Sequence, residues 1–338
     1  MAALWQALRL RYQRRRLLWR AIRARHRLAP VTRHPIPPGA ILAFGCLRNE
    51  AARLPFFLDH HRRLGVDHFL FVDNGSTDGS PDWLAAQPDV SLWSTPDSYK
   101  ASRFGLDWVN ALLLRYGSGH WCLTLDADEL FVYPDHETRD LRTLTAWLTA
   151  QGVDYMSALM LDLYPQGRVG AGTYVPGQNP LEILPWFDPD GYSRTEMPRY
   201  SHVSIRGGPR ARVFFADDPA RAPHLHKTPL IRWHWRYAYL SSTHVALPAR
   251  LNAGFSRPDL PTGALLHTKF LPDILQKSRE ERARAEHFTH PEHYGDYYDG
   301  VIAGPDLWHP GTARYESTAQ LEALGLIQRG AWPGGQPL

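Results

Sequence analysis

Two stretches of this chain place carboxylates where they could hold a ligand. In "FLFVDNGSTDGSPDWL", residues 69–84, an apolar run ends on Asp73 and passes into a turn of Asn74, Gly75, Ser76, Thr77, Asp78 and Gly79. In "LTLDADELFVYP", residues 123–134, Asp126 and Asp128 stand two apart at the end of a second apolar run. Side chains two apart in an extended segment share a side. Carboxylates so paired suit Mg2+ or Mn2+, which take oxygen ligands and usually share them with phosphates. The turn after Asp73 exposes backbone N–H groups. Each stretch also has a plainer reading, because NGSTDGS is a common turn composition and DADE can be a solvated run of surface acids. Their combination within one block of strands and helices is the more specific signal.

For these acids to meet, the elements that carry them must end at one edge of a sheet. "AILAFGCL" (40–47) reads as a first strand, "NEAARLPFFLDHHRRLG" as a helix despite Pro55, and 66–73 as a second strand ending on Asp73. Ser80-Pro81-Asp82 opens a short helix with proline at or near its first position. "DVSLWS" is a third strand, 102–117 a helix with Phe104, Trp108, Ala111 and Leu112 inward and Gly117 as C-cap, and "HWCLTLDAD" a fourth strand. This alternation predicts an α/β fold with a mostly parallel open sheet flanked by helices. In such sheets ligands bind beyond the carboxyl ends of the strands. Further on come a helix in "LTAWLTAQG", a strand at 153–165 and a loop-dominated stretch at 166–230. Two short strands in "LIRWHWRYAYLSSTHVAL", a charged helix at 271–288 and a frayed tail, "AWPGGQPL", complete the chain.

The 338 residues, 43% hydrophobic, suffice for a sizeable core. Cys46 and Cys122 each fall in an apolar run and read as reduced core residues, with no disulfide framework or zinc site. No stretch is long enough to span a bilayer and no secretory segment is present, which predicts a soluble, cytoplasmic chain. Residues 1–34 hold ten arginines and no Asp, Glu or Lys, while the whole chain carries +4, so the remainder carries a net −6. A mildly acidic body argues against nucleic acid as a partner. The arm reads as a helix with Leu4, Leu8, Tyr12, Trp19 and Ile22 on one face among arginines. Such a helix can lie on an anionic membrane surface through residues 1–30, making the protein peripheral to the inner membrane. Packing on the body and an organellar transit peptide are the alternatives. "HPIPPGA" ends the arm as a stiff linker.

"LRNEAARLPFFLDHHRRLGVDHFLFVDNGSTDGS" followed by "WCLTLDADELF" resembles the family 2 glycosyltransferases of the GT-A fold. The likeness is to the bacterial branch with an RNE start and a DADE metal motif, akin to family 92. It covers residues 41–165 well and continues more weakly through "RGGPRARVF", "KTPLIRW", "STH" and "LLHTKFL". The resemblance implies a metal-dependent, inverting transfer of a sugar from a nucleoside-diphosphate sugar, UDP foremost, to a glycan or lipid-linked acceptor, with Mn2+ or Mg2+ as cofactor. It implies that Leu47, Arg48, Asn49 and Glu50 border the nucleotide, that Asp73 accepts a hydrogen bond from the base, and that Asn74 and Ser76 shape that pocket. Arg103 is similar to the basic residue that approaches the diphosphate. Asp128 is similar to the direct metal ligand of the DxD pair, with Asp126 nearer the ribose or a metal-bound water. A nucleoside diphosphate leaves only when its charge is offset by a cation.

An inverting enzyme needs a carboxylate base for the acceptor hydroxyl. Asp162 and Glu196 are the candidates, beside Glu182 and Asp188. "IRGGPRAR" offers Arg206, Arg210 and Arg212 either to phosphate or to solvent at a β-turn. GT-A enzymes often recruit a late histidine to the metal or diphosphate, and His267 with Lys269 is chosen over His244. Trp233 and Trp235 serve core packing or stack on a sugar. The expected organisation is a basic helix at 1–34, a nucleotide-sugar-binding core at 35–165, an acceptor-side and core-completing region at 166–290 and an extension at 291–338. The rival readings are a sugar-nucleotide nucleotidyltransferase, which would carry a glycine-rich loop where "LRNEAARL" stands, and an inactive transferase-like scaffold.

Overall fold

The structure is a computed structural model that describes residues 2–284 and 291–334. Its centre is a nine-stranded mixed sheet. The apolar runs of the first half form β2 (Ile41–Leu47), β3 (His68–Asp73), β4 (Val90–Ser94) and β5 (Trp121–Thr124), all parallel. Ahead of them β1 (Ala29–Thr32) pairs antiparallel with β4, so the segment leading to the linker is stitched to the sheet edge. The full order is β1-β4-β3-β2-β5-β11-β7-β14-β6. Here β6 is Glu129–Val132, β7 Tyr155–Asp162, β11 His226–Arg232 and β14 Gly263–His267. β11 runs antiparallel to both β5 and β7, β14 is parallel to β7, and β6 closes the far edge antiparallel to β14. Most strands therefore run one way, and most are buried along their length, which is why they read as continuous apolar runs.

Several elements depart from the sequence expectation, each for a local reason. The helix expected from residue 49 begins at α2 (Leu54–Arg63), because Asn49 adopts a left-handed φ of 53° and a turn precedes Pro55 in the first helical turn. The helix expected at 102–117 starts only at α4 (Leu106–Leu112). Arg103, Phe104 and Gly105 hold φ of 59°, 60° and 73° in succession, and no right-handed helix passes through them. Its last turn, Leu113–Gly117, widens to a π-helix. The acidic strand expected at 120–128 is cut in two: β5 stops at Thr124, the chain reverses through Asp126–Asp128, and β6 departs to the other side of the sheet.

The stretch expected to be mostly loop holds the short helix α6 (Pro180–Ile183), β8 (Trp186–Phe187), the hairpin of β9 (Ser193–Met197) and β10 (His202–Arg206), and the central strand β11. Pro229 lies inside β11, where a proline is expected only at an irregularity. The register shifts between Lys227 and Leu230, so one extra residue bulges there, and Tyr239 donates its hydroxyl proton to the Thr228 carbonyl at 2.8 Å. The two further strands are β12 (Ala238–Ser241) and β13 (Val245–Leu247). Helix α7 (Ile274–Arg284) follows β14, and the rest of its expected span to 288 lies outside the described residues. The tail is not frayed as far as residue 334: Trp332 is buried and donates its indole N–H to the Pro134 carbonyl at 3.2 Å.

α3 (Ser80–Ala85) packs on β4, and α5 (Leu141–Ala150) is capped by Asp140, whose carboxylate accepts the Thr143 N–H at 2.9 Å. α1 (Ala2–Ala24) lies on α4 and β12, and α4 in turn packs on β2 and β3. No helix among the described residues is long and apolar enough to cross a membrane.

Candidate functional site

The chain enters the parallel part of the sheet at β2, stacks β3 and β4 on one side and then places β5 on the other. The order thus reverses between β2 and β5, and the carboxyl ends of strands at such a reversal form a ready crevice. Asp73 ends β3 level with Leu47 at the end of β2. Its Oδ2 accepts the backbone N–H of Gly75 and of Ser76, each at 3.1 Å. Its Oδ1 is buried and meets no donor among the described residues. The neighbouring polar side chains knit the loops after β2 and β3 together. Ser76 Oγ accepts the Asn49 N–H at 2.9 Å, Asn49 Oδ1 accepts the Thr77 N–H at 2.8 Å, and Arg48 donates to the Asn74 carbonyl at 3.0 Å. The Asn74 amide donates to the carbonyls of Thr95 at 3.0 Å and Asp97 at 2.9 Å. Glu50 pairs with Arg53 at 3.0 Å and Lys277 at 2.6 Å.

A small pocket of 30 Å³ opens beside the strand reversal, lined by Gly45, Cys46, Tyr99, Phe104, Asp126 and Ser242 among others. Gly45 has no room for a side chain, since a Cβ there would stand 2.7 Å from the Leu125 carbonyl. Phe104 and Ser242, both in the pocket's lining, hold positive φ, at 60° and 42°. Non-glycine residues persist in that region only where their surroundings enforce it.

Beyond β5 the acids are wired to cations. Lys227, delivered by β11, is buried and donates to Asp126 Oδ2 at 3.0 Å and to Glu129. Burial opposes its charge, but Asp126 and Glu129 outweigh that and hold it as an ammonium. Asp128 Oδ2 lies 3.1 Å from His267 Nε2, and His267 Nδ1 lies 2.6 Å from Asp162 Oδ1. Arg210 donates from Nε to Asp162 Oδ2 at 2.7 Å. A chain Arg210–Asp162–His267–Asp128 therefore crosses the ends of β7 and β14 and reaches the acidic turn. Burial works against the Asp128 carboxylate, but His267 pulls it well below the ordinary range, helped by Lys269 and Arg53. Asp162 is likewise lowered to about 2, burial being outweighed by Arg210 and His267. His267 is raised, its burial outweighed by the two carboxylates. Lys269 acts on Asp128 through its charge, with no direct ion pair among the described residues.

Among the described residues no three His, Cys, Asp or Glu side chains form a closed ion cage. Asp128 and His267 do present an oxygen and a nitrogen donor side by side, and the Asp126 side chain is about half exposed at 55%. Magnesium-like ions are commonly held by one or two carboxylates and completed by substrate phosphates. The donor set fits an ion bound in that shared manner.

The structure brings Asp126, Asp128, Asp162 and His267 together and gives the other expected residues partners of their own. Arg103 is tied to Asp107 at 3.3 Å and to the Leu240 carbonyl. Glu196 is exposed on β9, with Ser256 Oγ at 3.4 Å. Glu182 is bonded to Gln178 at 3.3 Å, and Asp188 is clasped by Arg212 at 3.0 Å. Arg206 is turned to the Ala222 carbonyl, so Arg210 alone of the three arginines in "IRGGPRAR" joins the chain. Trp233 is core and Trp235 is half exposed. His244 Nδ1 meets the His226 carbonyl at 2.7 Å, beside a stack of His226 on His202 with ring centres 4.5 Å apart. Sequence reasoning missed Lys227, Glu129 and Arg53. Lys227 hides in "HKTPLIR", where Pro229 argues against a central strand, and Glu129 looks like one more surface acid. The larger cleft, 610 Å³, lies away from these groups, between α1 and residues 97–108.

The sequence matches no protein-family model. No curated protein matches it at a significant level. Among solved structures the chain is similar to a mannosyltransferase, PcManGT, from Pyrobaculum calidifontis, in complex with GDP-Man and Mn2+. The match has 22% identity over 46% of this chain and 46% of that one, with a TM-score of 0.28, and so spans less than half of either.

Proposed function

We propose that the chain is a glycosyltransferase that uses a nucleoside-diphosphate sugar, with UDP as the nucleotide, and that its donor lies across the ends of β2, β3 and β5. The observation that carries this reading is Asp73 Oδ1, buried and without a partner at the reversal of strand order. A buried acceptor left unpaired costs about 1–3 kcal/mol, and a base N–H is the kind of donor that relieves it. The resemblance of the surrounding motifs to family 2 glycosyltransferases points the same way.

In this reading Asp73 holds the base, and the diphosphate reaches the acidic turn. Asp128 and His267 would hold a divalent cation, Mn2+ or Mg2+, with Asp126 beside them; when bound it supplies positive charge to the leaving diphosphate. Lys269 adds a fixed cation at the same place. The bond from the anomeric carbon to the phosphate oxygen breaks with its electron pair going to the diphosphate. The acceptor oxygen bonds the opposite face of that carbon, and its proton passes to a carboxylate. We assign Asp162 to holding His267 in place, because both its oxygens are already engaged. Glu196 is exposed but sits beside Ser256, in a segment that packs on Ser157 toward the far end of β7 from Asp162, and we assign it no part in this step.

Thermal unfolding with UDP, in Mn2+ and in EDTA, tests the reading. A nucleotide at a hundred times its Kd stabilises by about 2.7 kcal/mol. The expected result is a clear rise in Tm with UDP and Mn2+ that shrinks in EDTA and in Asp128→Asn. Equal shifts in Mn2+ and EDTA would refute the shared cation, and no shift with any nucleoside diphosphate would refute the donor site.

A further inference from the structure

Helix α1 has one apolar face too many. Leu17, Ala21 and Ala24 are buried against the body, and Arg20 clamps that side by donating to Asp107 at 2.9 Å. A surface helix of a globular protein should then be polar on its opposite side. The opposite side of α1 instead carries Leu4, Trp5, Leu8, Tyr12, Trp19 and Ile22, which are 67, 69, 45, 65, 56 and 42% exposed. At about 100° per residue these six fall within one outward arc, and at a rise of about 1.5 Å they run along roughly 27 Å of it. Arg9, Arg11, Arg15, Arg16 and Arg23 are exposed on or beside the same stripe, and residues 1–34 contain no acid.

We propose that this face docks flat on an anionic lipid bilayer, the leucine and tryptophan side chains entering the interface and the arginines meeting lipid phosphates. Tryptophan and tyrosine favour the headgroup level, and arginine stems cover apolar surface while their guanidinium groups stay among polar groups. A second copy of the chain is the poorer occupant, since a two-fold contact through this face would set arginine against arginine. Nucleic acid is poorer too, because the middle of the face is apolar and a phosphate backbone does not cover apolar surface. The opposite side of α1 is already fixed to the body, so the docked orientation of the whole protein follows from this one helix.

The test uses the full chain and phosphatidylcholine vesicles with or without about one third phosphatidylglycerol. One variant combines Arg9→Gln, Arg11→Gln, Arg15→Gln and Arg16→Gln, and another combines Trp5→Ser, Leu8→Ser and Trp19→Ser. All seven positions are exposed, so both should unfold at nearly the wild-type temperature and keep their response to UDP. The wild type should float with acidic vesicles, not with neutral ones, and detach in high salt. Each arginine near an anionic surface is worth about fivefold in partition, so the quadruple variant should bind roughly 600-fold more weakly. The triple variant should lose binding and the shift of tryptophan emission on adding vesicles. Failure to float with acidic vesicles at low salt overturns the proposal. So does undiminished binding by either variant, a dimer that the triple variant dissolves, or displacement from vesicles by equimolar duplex DNA.

Discussion

Replacing Arg210 by methionine is the most informative perturbation of the buried ionic chain. The Arg210 and Asp162 side chains are 8% and 1% exposed, so neither charge is screened by water. Methionine fills much of the volume but leaves Asp162 Oδ2 without a donor, with only His267 on the other oxygen. Breaking a buried pair by removing one partner costs about 3–5 kcal/mol, because the remaining charge stays desolvated. Total stability is of order 5–15 kcal/mol, and a chain of this size shifts by roughly 2 °C per kcal/mol. The expected fall in Tm is therefore about 6–10 °C. Adding Asp162→Asn to Arg210→Met removes the stranded charge and keeps an acceptor for His267, so the double variant should recover at least half the loss. A control at the exposed pair Arg63–Asp59, where both side chains are more than half exposed, should move stability by less than about 0.5 kcal/mol. Differential scanning fluorimetry and urea titration both read these differences. A loss below about 1 kcal/mol for Arg210→Met, or a double variant no better than the single, would show that the pair is not a buried ionic unit.

Asp73→Ala should weaken UDP binding by about 10- to 100-fold, the value of a hydrogen bond to a charged group, and should also lower the stability of the free protein, because the Gly75 and Ser76 N–H groups lose their acceptor; titration calorimetry and thermal unfolding separate the two, and unchanged affinity would remove Asp73 from the site. Burial and then the Lys227 charge lower His244 to about 3. The unfolded state, titrating near 6.5, then binds the proton first. Stability should be full above about pH 6.5, decline as pH falls towards 3, and decline less steeply in His244→Gln; parallel pH profiles for the two proteins would contradict this.

The part of the site legible in the sequence is the part built from contiguous signals. β3 and its turn announce themselves, because a strand buried on both faces is a continuous apolar run and the turn residues follow at once. The DADE acids were visible for the same reason, but their geometry was not. "HWCLTLDAD" reads as one strand, and only the reversal at Asp126–Asp128 reveals that Glu129 turns inward to Lys227. His267 was picked out as a histidine and its strand was not. Its partner Asp162 lies 105 residues away in the chain, and no local pattern encodes so distant a pairing. Arm and body were separable by charge, yet the strand Ala29–Thr32, with Pro30 inside it, fell within the span read as the basic helical arm. For α1 the grouping of apolar residues on one face was readable, but which face the body would take was not, since Leu17, Ala21 and Ala24 are smaller and fewer than the residues left outside.

The insertion of β11 between β5 and β7 has a consequence for how the chain is made. Roughly sixty residues separate the end of β7 at Asp162 from the start of β11 at His226. At about 5–20 residues per second, a ribosome needs on the order of 3–12 s to supply them. Until then β5 and β7 have a missing neighbour and offer unpaired apolar edges, the kind of surface that invites association with other chains. Glu129 also waits through that interval, because the ammonium group that neutralises it arrives on the same late strand. The centre of the sheet is thus closed, and Lys227 brought to Glu129 and Asp126, in one event late in synthesis, while Asp128 waits longer still for His267 on β14. A half-made chain carries Asp73, Asp126 and Asp128 but has no finished place to put them.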